Sequence, residues 1–376
     1  MRKTSVLVVQ RRLPHYRVRF FSQLREELHH RGIAFHLAYG QPTPAEEKKN
    51  DSGTLEWATP VPTRYFLGGR LCWLQQPSAI KDADLLVLTP ENKILSNLPL
   101  QYFSSRQKVV LWGHGANLQG DPSSLRERFK RIVARKADWW FAYTALSLPL
   151  ISRTGFPPER VSVLQNAVDT SELAALHSAV TGDAQDEIRR KYGLRTGPVG
   201  AYIGSLYTEK RIDFLLEASL QIRKQVPDFQ LLVIGDGPLR SQVDRFCQEH
   251  QWAHAMGIQI GANKVSALSL AKVILNPGLV GLGILDSFVC GVPMVTTDCG
   301  LHSPEISYLE PGANGIMSEN SIEDYVGKTC KILTDPQKWS TLHMGCKASS
   351  SLYTLDNMVK NFADGIEHCA AAPMRR

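Results

Sequence analysis

The chain has no CxxC pair, no apolar run long enough to cross a bilayer, no internal repeat and no low-complexity tract. Its seven cysteines, from Cys72 to Cys369, are dispersed and odd in number, which argues against a zinc site or a disulfide frame. Reduced thiols and a cytoplasmic setting are expected instead. The opening MRKTSVLVVQRR has basic residues around only a handful of apolar ones, too few for a signal-peptide core. No later run approaches the roughly 20 apolar residues of a membrane span. Without an RNP, zinc-finger or helix-turn-helix pattern, no nucleic-acid partner is expected. The net charge of +7 suits anionic partners such as nucleotides or lipid headgroups, and equally suits plain solubility.

At 376 residues the chain exceeds one ordinary core and fits two domains of roughly 150–200 residues. Residues 5–10 (SVLVVQ) make an apolar run of strand length. Phe20, Phe21, Leu24 and Leu28 then recur at helical spacing before Gly32, and AFHLAY at 34–39 reads as the next strand. This βαβ start is the mark of a doubly wound parallel sheet. ADLLVL (83–88), KVVLW (108–112), DWWFAY (138–143) and VSVL (161–164) keep the rhythm, with residues 41–77 read as loops around an edge hairpin. A polar linker is expected over about 166–195, containing a helix at AQDEIRRKYG (184–193). A second series follows it: VGAYIG, QLLVIGDGP, GIQIGA, AKVILNPG, PMVTT and NGIM. The expected fold is α/β, with Rossmann-like domains over residues 1–170 and 196–350. A last amphipathic helix is expected at 354–369, carrying Met358, Phe362, Ile366 and Cys369 on one face.

Residues 276–315 concentrate the chemistry. A glycine-rich loop with Gly281, Leu282 and Gly283 feeds a helix whose N-terminal amides suit an anion. Asp286 on that helix and Glu305 after the next strand suit hydroxyl groups. Phosphate donors beside hydroxyl acceptors are what a nucleotide-sugar site needs. Upstream, Gly204 and Ser205 open a strand–helix loop in which Lys210 or Arg211 could pair with a diphosphate, or else form an ordinary solvated basic pair. His114, between glycines after KVVLW, is either a hydrogen-bonding or proton-handling group or a surface loop residue. Asp82-Ala83-Asp84 has the form of a metal-binding DxD but opens a strand where such a motif would close one. Adjacent His29 and His30 do not share a helix face. No metal is expected. Residues 125–136 (LRERFKRIVARK), with Leu125, Phe129, Ile132 and Val133 on one face and basic residues through Lys136 around the others, read either as a domain helix or as a membrane-surface helix.

GSLYTEK-x-IDFLLEA, LLVIGDGP, PG-x-VGLGILDSFVCGVPMVTTD, HSPE and NG together resemble the nucleotide-sugar half of GT-B glycosyltransferases of family 4. The first half is similar as well, in QRRLPHYRVRFFSQL, WGHG, the aromatic strand ending in Tyr143-Thr144, and VSVLQNAVD. The resemblance implies two Rossmann-like domains facing across a cleft, with the last helix crossing back to the first. It implies retaining, metal-independent transfer of a sugar from a UDP- or GDP-sugar to a glycan or lipid-linked acceptor, with no further cofactor. Acceptors of that kind place the expected work in the cytoplasm or peripherally on the inner face of the membrane. By motif match, Lys210 would contact the diphosphate, Asp286 the ribose, and His114 the transferring sugar. Glu305 and the amides of Gly281–Gly283 would lie near sugar and phosphate. The family usually has two glutamates at a fixed spacing where this chain has only Asp286, and an arginine is frequent where Ser205 stands. The alternatives on the same architecture are a non-catalytic nucleotide-binding subunit and a nucleotide-sugar epimerase.

Overall fold

A computed structural model describes residues 3–48, 51–104, 106–114 and 136–375. The helix expected at 125–136 therefore lies outside the described residues, Lys136 excepted. The chain divides into two units: Met1–Asp169 with Leu355–Arg376, and Thr170–Thr354.

The first unit is built on β1 (Ser5–Gln10), β2 (Ala34–Tyr39), β3 (Thr59–Pro60), β4 (Thr63–Phe66), β5 (Leu71–Leu74), β6 (Leu85–Leu88), β7 (Lys108–Trp112), β8 (Trp139–Ala142) and β9 (Val161–Val163). Seven of these form one parallel sheet in the order β3-β2-β1-β6-β7-β8-β9, and β4 and β5 pair as a separate antiparallel hairpin. Parallel strands covered on both faces read as unbroken apolar runs, and β1, β6, β7 and β8 are buried almost throughout. The Asp84 carboxylate accepts from the Ser5 amide at 2.8 Å, a tie at the N-terminal end of β6.

Helix Leu355–Ala371 belongs to this unit, against helix Val18–His30 and the β8–β9 edge. Phe362 is fully buried, its ring 4.5 Å from Phe141, 5.1 Å from Trp112 and 5.5 Å from Phe20. Gly365 allows the approach: a Cβ there would lie 2.5 Å from the Phe141 ring. Arg31 bridges Asp364 and Glu367, both at 2.7 Å. Lys108 donates to the carbonyls of Cys369, Ala370 and Ala372, satisfying groups that a helix C-terminus leaves open.

The second unit contains β10 (Val199–Ile203), β11 (Gln230–Ile234), β12 (Ala253–Gly257), β13 (Val273–Leu275), β14 (Met294–Thr297) and β15 (Gly315–Ser318). All pairs are parallel, in the order β12-β11-β10-β13-β14-β15. Renumbered within the unit this is 3-2-1-4-5-6, the dinucleotide-binding order, whose direction reverses between β10 and β13. Ser321 caps helix Ile322–Thr334 by accepting from Asp324, and Asp335 caps Pro336–Leu352, where proline takes the first position.

Two expectations are corrected. The stretch read as a linker holds, besides the expected helix, which spans Gly182–Tyr192, a second helix at Ser171–Ser178, and both pack on helix Gly261–Ser269 of the second unit. Helix Ser171–Ser178 went unread because none of its residues is buried, so it carries no apolar face. The strand expected at GIQIGA is also displaced: β12 ends at Gly257, with φ +70°, where β11 has run out of residues to pair with it. Ile258 and Ile260, whose alternation suggested a strand, are 69% and 78% exposed.

Candidate functional site

The strand order reverses between β10 and β13, and in such sheets ligands bind beyond the C-terminal ends of the strands at that point. Gly204 and Ser205 follow β10 directly. The turn Thr208–Lys210 then leads through Arg211, held at φ +57°, into helix Ile212–Gln225. From β13 the chain runs through Asn276, Pro277 and Gly278 into the loop of Gly281, Leu282 and Gly283, then helix Ile284–Cys290.

The two loops lock together. The Leu279 amide donates to the Glu209 carbonyl at 2.9 Å, and Lys210 Nζ donates back to the Leu279 carbonyl. Contact this close is possible because residue 278 is glycine: a Cβ would overlap the Glu209 carbonyl and lie 2.5 Å from the Lys210 carbonyl carbon. At Gly235 a side chain would likewise overlap the Gly204 carbonyl. Gly278→Ala should therefore lower stability by about 1–3 kcal/mol, visible as a reduced Tm, and weaken nucleotide binding by displacing Lys210. An unchanged Tm would show that the loops separate without cost.

Lys210 and Arg211 are treated differently. Burial pulls the Lys210 ammonium down to about 8. Its Nζ also stands 5.9 Å from the centre of the Tyr207 ring. Arg211 donates to the Pro277 carbonyl, Thr297 Oγ1 and Asn320 Oδ1 at 3.3, 2.9 and 2.6 Å, and lies over the Phe214 ring. It braces the ends of the strands, leaving Lys210 as the desolvated cation of this loop.

Asp286 sits in the first turn of Ile284–Cys290 and pairs with Lys264 of helix Gly261–Ser269 at 2.8 Å. Both side chains are about four-fifths covered, at 20% and 23% exposure. Glu305 lies in the turn Pro304–Tyr308 and is 4% exposed. His302 reaches between the loops: Nδ1 accepts from the Val280 amide at 3.1 Å, so Nε2 carries the proton and donates to the Thr297 carbonyl at 2.7 Å. Ser303 closes the same tie, its amide donating to the Val280 carbonyl at 2.9 Å. Asn276, 4% exposed, turns its Nδ2 toward the Leu279 carbonyl. In the first unit, His114 follows β7 with its ring 4.3 Å from that of Tyr143, edge to face.

The structure thus brings Gly204, Lys210, Gly281–Gly283, Asp286 and Glu305 around the strand ends of one unit. Sequence reasoning missed Lys264, Thr297 and Asn276, while His302 stood within the HSPE motif. Only Asn276, the first polar residue after a buried strand, carried a local signal.

Residues 197–335 match the family model described as glycosyl transferases group 1. The alpha-D-kanosaminyltransferase of Streptomyces kanamyceticus is 24% identical over 53% of this chain and 54% of its own length. The GDP-mannose-dependent alpha-(1-6)-phosphatidylinositol monomannoside mannosyltransferase of Mycolicibacterium smegmatis is 27% identical over 64% of each. The chain therefore spans between about half and two thirds of the length of these relatives. Anabaena HepE, solved in complex with UDP, shares the fold with a TM-score of 0.69 at 15% identity, covering 97% of this chain and all of that one. Over residues 197–335 the chain is thus similar to glycosyl transferases group 1, and its two Rossmann-like units share the fold of a solved structure that holds UDP.

Proposed function

We propose that the protein transfers a sugar from a nucleoside-diphosphate donor to a glycan or lipid-linked acceptor, with retention at the anomeric carbon and without a required metal. The observation that carries this reading is the interlocked pair of loops at the β10/β13 reversal, which holds one desolvated lysine against the glycine-rich loop after β13. Lys210 and the amides of Gly281–Gly283 take the diphosphate, and Asp286 takes the ribose. As the bond from the anomeric carbon to phosphate oxygen breaks, charge grows on the leaving diphosphate, where a fixed ammonium in a dry setting stabilises it most. The acceptor hydroxyl oxygen bonds to the same face of the sugar while its proton passes to the departing diphosphate oxygen. His114 of the first unit is assigned a role toward the transferred sugar, and Glu305 one near it.

The relatives' printed donors and ligands frame the nucleotide choice, since one is GDP-mannose-dependent and HepE was solved with UDP. Incubating the full chain with a panel of UDP- and GDP-sugars should give donor hydrolysis or transfer with one nucleotide series. Nucleotide binding without turnover of any donor would overturn the reading in favour of a binding subunit.

A further inference from the structure

The hairpin β4–β5 stands outside both parallel sheets and has two unlike faces. Residues directly opposite across it are Thr63 and Leu74, Arg64 and Trp73, Tyr65 and Cys72, and Phe66 and Leu71. Because opposite residues share a face and neighbours alternate, Cys72 and Leu74 point inward and are buried, at 0% and 2% exposure. Arg64, Phe66, Leu71 and Trp73 form the other face, with Phe66 45% and Trp73 41% exposed. At the tip Leu67 is 72% exposed and adopts φ +51°, a left-handed conformation unfavourable for a leucine. Exposing an apolar side chain and straining its backbone are two costs that no contact among the described residues of this unit is seen to offset.

The hairpin's own charge has one sign, and the carboxylates near it, Glu46 and Glu91, pair with Arg11 and Lys93. Residues 57–81 contain no Asp or Glu but include Arg64, Arg70 and Lys81. Arg64 and Arg70 are both exposed and flank the apolar tip. Aromatic and aliphatic side chains between arginines, without any acid, complement a bilayer interface whose apolar boundary lies under anionic headgroups. We propose that the β4–β5 hairpin docks on an anionic phospholipid surface, with Phe66, Leu67 and Trp73 entering the acyl boundary and Arg64 and Arg70 meeting phosphate groups. This contact is distinct from residues 125–136 and independent of the sugar-transfer reading, because vesicle binding is measured without donor or turnover.

The test is co-sedimentation of the full chain with phosphatidylcholine vesicles, with and without phosphatidylglycerol. Wild type should bind the phosphatidylglycerol vesicles, and bind them less as salt is raised. The double variant Phe66→Ser/Leu67→Asn should lose about tenfold or more in affinity. Asparagine tolerates the left-handed conformation and both positions are exposed, so an unchanged circular-dichroism spectrum and Tm are expected of this variant. Arg64→Glu/Arg70→Glu should abolish the preference for phosphatidylglycerol. Undiminished binding by the Phe66→Ser/Leu67→Asn variant would overturn the proposal and move membrane contact elsewhere. Failure of wild type to sediment with either vesicle would also overturn it, and would leave an acidic protein surface as the hairpin's partner.

Discussion

Lys210→Ala is expected to lower kcat/KM for the nucleotide-sugar donor by about a hundred- to a thousandfold, the usual cost of removing a preorganised group from developing charge. Lys210→Met, which keeps most of the side chain's volume, should lose nearly as much while melting close to wild type. That result separates the charge from the packing. The same residue predicts a pH dependence. Without ligand, burial holds the ammonium at about 8, so an appreciable fraction is already neutral at mildly alkaline pH. A bound diphosphate favours the protonated form and raises that value. Donor affinity should therefore be flat below pH 8 and fall by up to about tenfold per pH unit above it, with proton uptake on binding. Calorimetric titrations in buffers of different ionisation enthalpy measure both effects. Affinity that rises through pH 8, or a Lys210→Met variant with wild-type turnover, would remove Lys210 from the diphosphate.

Asp286→Ala should cost about 2–4 kcal/mol in transition-state binding, roughly thirty- to a thousandfold in kcat/KM, chiefly through KM. An ionised carboxylate has room for several donors, and the pair with Lys264 at 2.8 Å uses one direction while leaving others for a ribose diol. Removing the carboxylate also leaves the Lys264 ammonium partly buried without its counter-charge, a cost that falls on folding and lowers Tm and does not depend on the donor. The partner is identified with donors lacking a ribose hydroxyl. Wild type and Asp286→Ala should handle such a donor alike, since the interaction that distinguishes them is already absent. If the variant penalty persists with the deoxy donor, Asp286 acts on something other than the ribose.

Much of the architecture was legible locally. Strands such as SVLVVQ, AFHLAY and KVVLW are short apolar runs between turn residues, which is how a strand covered on both faces has to look. Glycines after β10 and in the loop after β13 marked the site for a related reason, because close backbone approach tolerates no side chain. Where local pattern and tertiary supply diverged, the sequence misled. Ile258 and Ile260 alternate like a strand but lie beyond the end of β11, and without a pairing partner they remain exposed.

What the sequence by itself determined was the alternation of strands and helices and the two-domain plan, with the glycine-rich loops between them. These depend on burial periodicity and backbone freedom, which act over a few residues. Only the tertiary structure separated Lys210 from Arg211, assigning one to the desolvated loop and the other to bracing strand ends. It alone joined Lys264 to Asp286 and placed His302 between the loops. Desolvation and ion pairing depend on which groups meet in space, and strand order, which no local periodicity encodes, brings these groups together.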